Sequence, residues 1–334
     1  MRPLALALCY DLKSDYLAAG FSPEAVMEFD DEETIAGLED GLRQLGDRVG
    51  SVDRVGRGQA LARRLAAGES WDLVFNLAEG VRGRSREAQV PALCELFDQP
   101  YTFSDPLTCA VTLDKPLAKR VVRDYGLPTP AFAVVERPED ASAVTLDPPL
   151  FLKPAAEGSS KGVTERSRIA TRDALEETCA ELIRLFRQPV LVEAYLPGRE
   201  MTVGIVGNGA EARVVGVMEV AASPGYEFDA YTARNKAEWE ERMTYRLVAD
   251  EGLAGRARQV ALAAYHALGC LDAARVDLRC DRSGEPNFLE INPLPGLDPV
   301  KSDLPILARL AGTSYPELLG HIVGAAAKRW GLWT

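Results

Sequence analysis

Arg275 and Asp277 stand two residues apart in one apolar run, and Glu290 and Asn292 stand two apart in the next. Side chains alternate across a strand, so each pair shares a face. Between the runs lies Asp281-Arg282-Ser283-Gly284, a turn sequence. If the runs pair around that turn, all four side chains converge. Two carboxylates and an amide oxygen form a hard oxygen site of the kind Mg²⁺ takes, completed by phosphate and water. An arginine beside them can stabilise negative charge developing at a reacting centre. Asn292-Pro293 then leaves the strand, and Pro295-Gly296 brings bare backbone next to the same place. The bland alternative is a surface salt-bridge cluster. Against it, Glu290 sits within Phe288-Leu289-Glu290-Ile291, where a carboxylate is costly unless it is paired or bound to metal.

Two further segments could serve a phosphorylated ligand. Lys153 ends an apolar run and is followed by Glu157-Gly158-Ser159-Ser160-Lys161-Gly162. Such a loop offers backbone N–H groups and hydroxyls to phosphate oxygens, and the lysine adds point charge. The Gly-Lys-Ser/Thr order of a Walker A loop is absent. Val190 to Leu196 reads as a strand running into an open segment, whose backbone could meet a nucleobase edge. Glu193 could accept from an exocyclic amine and Glu200 from ribose hydroxyls; the alternative is an edge strand with a solvated acid. Asp11, Asn76 and Glu79 lie just past strand ends, where α/β sheets gather ligands; for Asn76 and Glu79 the alternative is a turn residue closing a strand. Gly56-x-Gly58 and Gly207-x-Gly209 read as turns.

The elements that must position these residues follow from periodicity. Leu4 to Cys9, Arg48 to Val55 and Trp71 to Leu77 read as strands, alternating with helices at Thr34 to Leu45 and Leu61 to Ala67. That alternation predicts a doubly wound α/β region. Lys115 to Tyr125 reads as a helix stopped by Gly126, and Pro128-Thr129-Pro130 as rigid and extended. The later chain mixes helices with antiparallel strands, including a hairpin at Asn208-Gly209. Helices at Arg172 to Phe186, Ala254 to Leu268, Pro305 to Ala311 and Pro316 to Trp330 complete it. The 334 residues support two or three units, with 47% hydrophobic and 26% charged residues. Lys+Arg total 38 against Asp+Glu 50, a net charge of -12, which disfavours nucleic acid and anionic membrane as partners. Six scattered cysteines without a C-x-x-C pair suit reduced thiols, and the start does not read as a signal peptide, so a cytoplasmic protein is expected. His266 and His321 are the only histidines, which leaves little for a Ser/His or Cys/His mechanism.

Taken together the motifs resemble the ATP-grasp superfamily and, within it, the D-alanine–D-alanine ligases. The likeness is carried by Asp114-Lys115, Pro128-Thr129-Pro130, Lys153 to Gly162, Gly198-Arg199-Glu200, Arg275 with Asp277, Glu290 with Asn292, Pro295-Gly296 and, approximately, Ser302 to Pro305. The resemblance implies an ATP-grasp fold of mixed α/β and α+β character, behind an N-terminal doubly wound parallel-sheet domain. It divides the chain at 1–107, 108–196 and 197–334, with ATP between the last two. It implies that Lys115 and Lys153 contact phosphates and that Ser159 and Ser160 lie over them. Glu193 and the backbone of Tyr195 and Leu196 would hold adenine, and Glu200 ribose. Asp277, Glu290 and Asn292 would bind two Mg²⁺. The implied reaction activates a carboxylate as an acyl phosphate, releases ADP and lets an amine displace phosphate. Arg275, the Gly296 N–H, Ser160 and Lys236 would act at the reacting centre; Glu79, Arg275, Gly296 and Ser302 would face substrate.

The chain also departs from the family pattern. Tyr231 and Lys236 keep the spacing of the family's mobile loop, but Ala237 replaces its last tyrosine. Asp11 to Asp15 lacks the family's Gly-rich start and its amine-holding glutamate. Glu79-Gly80 replaces His-Gly and is followed by Arg82, Arg84 and Arg86. The expectation is therefore an ATP-dependent carboxylate–amine ligase acting on D-alanine or on another amino acid or amine, working on small molecules as a homodimer. A nucleotide-binding protein without turnover is the alternative from another class. An NAD-dependent enzyme lacks its strand–GxGxxG–helix unit.

Overall fold

The computed structural model describes residues 2–158, 161–223 and 242–333. Three sheets organise them. In the first, β1 (Leu4–Cys9) lies between β2 (Val49–Gly56) and β3 (Leu73–Asn76), all parallel. Parallel strands need crossovers, which the helices Glu32–Arg43 and Gly58–Ala66 supply. Because both faces are covered, β1 and β3 are near-continuous apolar runs, while β2 at the sheet edge carries Ser51, Asp53 and Arg54. Ile35, Leu38 and Leu42 pack with Leu4, Leu6 and Leu8 on one face. Leu61, Leu65, Val90 and Cys94 pack with Ala7, Cys9 and Val74 on the other, so the sheet is doubly wound as expected. The last helix, Tyr315–Arg329, returns to this first sheet and buries Leu318, Leu319, Ile322 and Val323 against it. All six cysteines are free and buried. No described helix is long and apolar enough to cross a membrane.

The second sheet is antiparallel, in the order β4 (Phe132–Val135), β7 (Val190–Ala194), β5 (Leu150–Pro154) and β6 (Arg168–Ile169). Helix Leu175–Phe186 covers it through Leu175, Cys179 and Leu182. β7 is thus an interior strand, and Glu193 is only 2% exposed. The alternative of an edge strand with a solvated acid is corrected: two neighbours occupy the hydrogen-bonding edges of β7, and their sheet buries its acid.

The third sheet runs β10 (Met243–Leu247), β9 (Arg213–Ala222), β8 (Glu200–Val206), β11 (Ala273–Cys280) and β12 (Pro286–Asn292), again antiparallel. β8 and β9 form the hairpin expected at Asn208-Gly209. In their ladder Gly204 faces Gly216. A Cβ on Gly204 would lie 2.6 Å from Leu304 Cδ1, and one on Gly216 2.9 Å from Leu307 Cδ1. The glycine pair therefore lets helix Asp303–Leu310 settle directly on the sheet. That seat matters because Asp303 opens the helix and reaches Arg275 on β11. Leu253, Ala257, Ala261 and Ala264 of helix Glu251–Ala267 pack with Met201, Val203, Val276 and Leu278 of the same sheet.

One buried acid links the first sheet's surroundings to the third sheet. Asp272 stands just before β11 with φ +63°, a left-handed conformation that aspartate tolerates better than most residues. It is fully buried. Its carboxylate accepts from Phe103 N at 2.8 Å, from Asn208 Nδ2 at 2.8 Å and from Arg329 Nη2 at 2.8 Å.

Candidate active site

The β11–β12 hairpin forms in the expected register, with Arg275 opposite Asn292 and Asp277 opposite Glu290. The turn is held by Asp281, whose Oδ1 accepts from Ser283 N at 2.8 Å and Glu285 N at 3.0 Å, while Gly284 takes φ +84°. Arg275 is nearly buried, with Nη2 3.0 Å from Asp277 Oδ2 and Nη1 3.1 Å from Asp303 Oδ2. Burial alone would lower its pKa, but the two carboxylates hold it above the ordinary arginine value. Asp277 Oδ1 also accepts from Thr202 Oγ1 at 2.8 Å, and Asn292 Nδ2 lies 3.4 Å from Asp277 Oδ2. Among the described residues, no three or more His, Cys, Asp or Glu side chains are grouped to hold a metal by themselves. Two carboxylates and an amide instead fit Mg²⁺, which keeps several ligands from phosphate and water.

A ladder of alternating charges leads away from Glu290. Lys153 Nζ lies 3.3 Å from Glu290 Oε2 and 3.4 Å from Glu193 Oε2. Lys115 Nζ lies 3.7 Å from Glu290 Oε2 and donates to the Glu157 carbonyl. On the far side of Glu193, Lys119 Nζ sits 2.6 Å from its Oε1 and donates to Thr129 Oγ1 and the Phe288 carbonyl. Burial pushes Lys119 down to about 8. Burial would lower Lys153 too, but Glu193 and Glu290 raise it instead. Sequence reasoning missed Lys119. Its signal was available, since Lys115 and Lys119 are i,i+4 neighbours on one helix, Lys115–Asp124.

Lys115, Lys153, Glu193, Tyr195, Leu196 and Glu200 line one cavity between the second and third sheets, together with Asp277 and Glu290. Every described residue expected at the nucleotide is therefore in one place. The Tyr195 N–H already donates to the Pro149 carbonyl at 3.0 Å, so it is the carbonyl of Tyr195 that its backbone has to offer. Glu200 is 3.1 Å from Arg279 Nη1, and burial pushes it up to about 7 against the pull of that arginine. Ser159, Ser160, Tyr231 and Lys236 lie outside the described residues.

A second cavity, of about 190 Å³, is lined by Glu79, Arg275, Asn292, Gly296 and Ser302. Lys115 and Glu290 line both cavities, so the two meet there. A Cβ on Gly296 would lie 2.8 Å from Ser302 Oγ, which itself accepts from Asp298 N at 3.0 Å. Three acids that sequence reasoning did not single out, Glu28, Asp30 and Glu87, share this second cavity. Glu28 and Asp30 sit in the acidic stretch just before helix Glu32–Arg43. The arginines after Glu79 split up: Arg86 pairs with Glu28 at 2.9 Å, Arg84 with Asp114 at 2.5 Å, and Arg82 lies over the Phe21 ring. Asp11 accepts from Tyr16 Oη at 2.5 Å and Gly80 N at 2.8 Å, and Asn76 Oδ1 accepts from Ala78 N at 3.1 Å. Asn76 thus holds the turn after its strand, as its reading as a turn residue expects, and Asp11 ties the same segment to Tyr16.

Burial pushes Asp30 and Glu87 each up to about 7, and pushes Glu79 well above the carboxylate range with Glu28 and Glu87 adding to it. A carboxyl raised in the fold lends stability while protonated. That contribution is complete below the ordinary values of 3.8 and 4.5 and is lost as pH rises through about 7. The ligand-free protein is therefore expected to weaken between about pH 5 and pH 8 by roughly 1–3 kcal/mol. Urea titrations should show that slope, and the Asp30→Asn/Glu87→Gln double variant should flatten it. An equal slope in the variant would exclude these two groups as its source.

Comparison with known proteins places this geometry. A family model described as the D-ala D-ala ligase C-terminus matches residues 121–324, more than half of the chain. The chain belongs to the D-alanine–D-alanine ligase family. A D-alanine–D-alanine ligase of Bordetella petrii is 36% identical over 273 residues, covering 80% of this chain and 79% of the relative. An uncharacterised protein of Sinorhizobium fredii is 35% identical over 267 residues, covering 77% of this chain and 75% of its own. The fold matches a Bacillus anthracis D-alanine–D-alanine ligase solved with ATP, at TM-score 0.75 and 21% identity, over 99% of both chains. It also matches the VanG D-Ala:D-Ser ligase of Enterococcus faecalis, at TM-score 0.72 and 21% identity, over 97% of this chain and 100% of that one. This family member is accordingly an ADP-forming amide-bond ligase of the ATP-grasp fold.

Proposed function

We propose that this ligase joins two amino acids, or an amino acid and a related amine, at the junction where Lys115 and Glu290 line both cavities. That junction is the observation that carries the reading. A nucleotide held between the second and third sheets would point its terminal phosphate at the second cavity, where a carboxylate would lie beside Arg275. Units at 1–107, 108–196 and 197–334 divide the work, the first and third enclosing the amino acids.

Glu193 and the Tyr195–Leu196 backbone hold the adenine in this reading, and Glu200 the ribose. Lys115 and Lys153 place positive charge on the phosphates, and the family resemblance assigns Ser159, Ser160 and Lys236, outside the described residues, to the same phosphates. Asp277, Glu290 and Asn292 would hold Mg²⁺, which would supply charge neutralisation to the phosphates. The substrate carboxylate attacks the γ-phosphorus, ADP leaves, and the acyl phosphate meets the amine. Arg275 and the Gly296 N–H bind the oxyanion that forms, and departure of phosphate leaves the amide. Asp277 and Asp303 hold the guanidinium on both sides, so its orientation costs little at the moment of reaction. Glu79 and Ser302 face the amino acids. Because Glu79 stands where the family has histidine, a substrate other than D-alanine is as well supported as D-alanine itself.

The test is ADP and phosphate release with Mg-ATP over D- and L-amino acids, singly and in pairs, with product masses. Amino-acid-dependent ADP release with one dehydrated pair mass is the expected result. ATP binding without release for any pair would leave the non-catalytic reading instead.

A further inference from the structure

The second cavity has two walls of different character. At the reacting end are Arg275, Asn292, Gly296 and Ser302. The other wall presents Glu28, Asp30, Glu79 and Glu87. One cation serves that wall: Arg86 places Nη2 2.9 Å from Glu28 Oε2 and Nη1 2.9 Å from the Ala156 carbonyl. Glu28 also accepts from Gly158 N at 2.7 Å, so its charge is matched. The remaining cations of the cavity are engaged elsewhere. Lys115 is on Glu290 and the Glu157 carbonyl, Arg275 on Asp277 and Asp303, and Lys301 on Asp31 at 3.2 Å.

Asp30 and Glu87 accept no side-chain hydrogen bond and form no ion pair among the described residues, and Glu79 meets the carboxylate of Glu28. Partly buried carboxylates that no cation pairs directly are costly to ionise, and a bound cation at hydrogen-bond distance would favour the ionised form. They are not grouped as a metal cage among the described residues. Their cavity is also continuous with the reacting end, so whatever neutralises them is part of what reacts there.

Counting charges then narrows the ligand. This step rests on the ligase reading above. The amino acid whose carboxylate is activated brings one α-ammonium, which one carboxylate would match. Glu79 lies against the Glu28 carboxylate and shares a proton with it, so beyond the acid that Arg86 neutralises the wall offers two carboxyls, Asp30 and Glu87. We propose that this substrate carries a second cationic group, and that Asp30 and Glu87 on this wall receive the two cationic groups of a diamino or otherwise basic amino acid.

The experiment measures kcat/KM for ADP release with D- and L-alanine, 2,3-diaminopropionate, ornithine, lysine and arginine, each alone and with each other. A basic acid is expected to exceed alanine at least tenfold, mainly through KM. In Glu87→Gln and Asp30→Asn that ratio should fall at least tenfold. Calorimetric binding of ornithine and of alanine to the enzyme with a non-hydrolysable ATP analogue gives a second readout. A neutral amino acid equal to or better than every basic one would overturn the cationic wall while leaving the ligase intact. A ratio unchanged in both variants would also overturn it. Ornithine binding that exceeds alanine binding and weakens in Glu87→Gln, without ADP release from any acid, would keep the wall and sink the ligase reading. Neither binding nor release for any basic acid would sink the wall.

Discussion

Glu290→Gln is expected to reduce ADP release by at least 10²–10³-fold, the order lost when one preorganised electrostatic group is removed from a reacting centre. Glu290 lies where the two cavities meet, opposite Asp277 and within reach of Lys115 and Lys153. Glutamine keeps the shape and one oxygen but removes the charge. Lys153 retains Glu193 as a partner, so the fold loses about 1 kcal/mol and the melting temperature moves by only a few degrees. The Mg²⁺ concentration for half-maximal activity should rise together with the loss of kcat. Wild-type turnover with an unmoved Mg²⁺ dependence would remove Glu290 from the reacting centre. A variant that failed to fold would be set aside for Glu290→Asp, which keeps charge and shifts its position.

Asp272→Ala is expected to be the most damaging single truncation for stability, at about 3–5 kcal/mol. The Asp272 carboxylate is buried with Arg329, which also donates to the Tyr101 and Phe103 carbonyls at 2.9 and 3.1 Å. Removing the acid takes the counter-charge from Arg329 and the acceptor from the Phe103 N–H, leaves Asn208 Nδ2 only the Ala325 carbonyl, and puts alanine at φ +63°. Each term has the same sign. Asp272→Asn keeps the left-handed preference and most acceptor geometry, so it should cost less. Pairing Asp272→Ala with Arg329→Met should recover part of the loss, because no charge is then left buried. Denaturant midpoints of the wild type, Asp272→Ala, Asp272→Asn, Arg329→Met and the double variant decide it. Strict additivity of the two single changes would mean that the pair does not act as a unit.

The most legible part of this protein was the hairpin. Arg275, Asp277, Glu290 and Asn292 could be placed together because strand alternation and one turn sequence are local rules, and the observed register obeys them. The hairpin at Asn208-Gly209 and the apolar parallel strands were legible for the same reason. Less legible was the burial of Glu193. A short apolar strand does not announce how many neighbours it has, and only pairing of β7 with both β4 and β5 encloses that acid. Helix spacing sets Lys119 beside Lys115, but its pairing with Glu193, on another element, was not legible.

What the sequence determined by itself is therefore the chemistry available: lysines for phosphate, paired acids and an amide for a hard cation, an arginine for a developing oxyanion, and a doubly wound first region. What only the tertiary structure decided is which of these meet. Helix Tyr315–Arg329 covers the sheet begun by Leu4, and Arg329 reaches Asp272. The acidic stretch before the helix Glu32–Arg43 comes to face Arg275 across one cavity, with Glu79 and Glu87 beside it. These are contacts between residues far apart in the chain. Their geometry is set by how three sheets and their helices exclude water from one another, which is a property of the packed whole and of no local pattern.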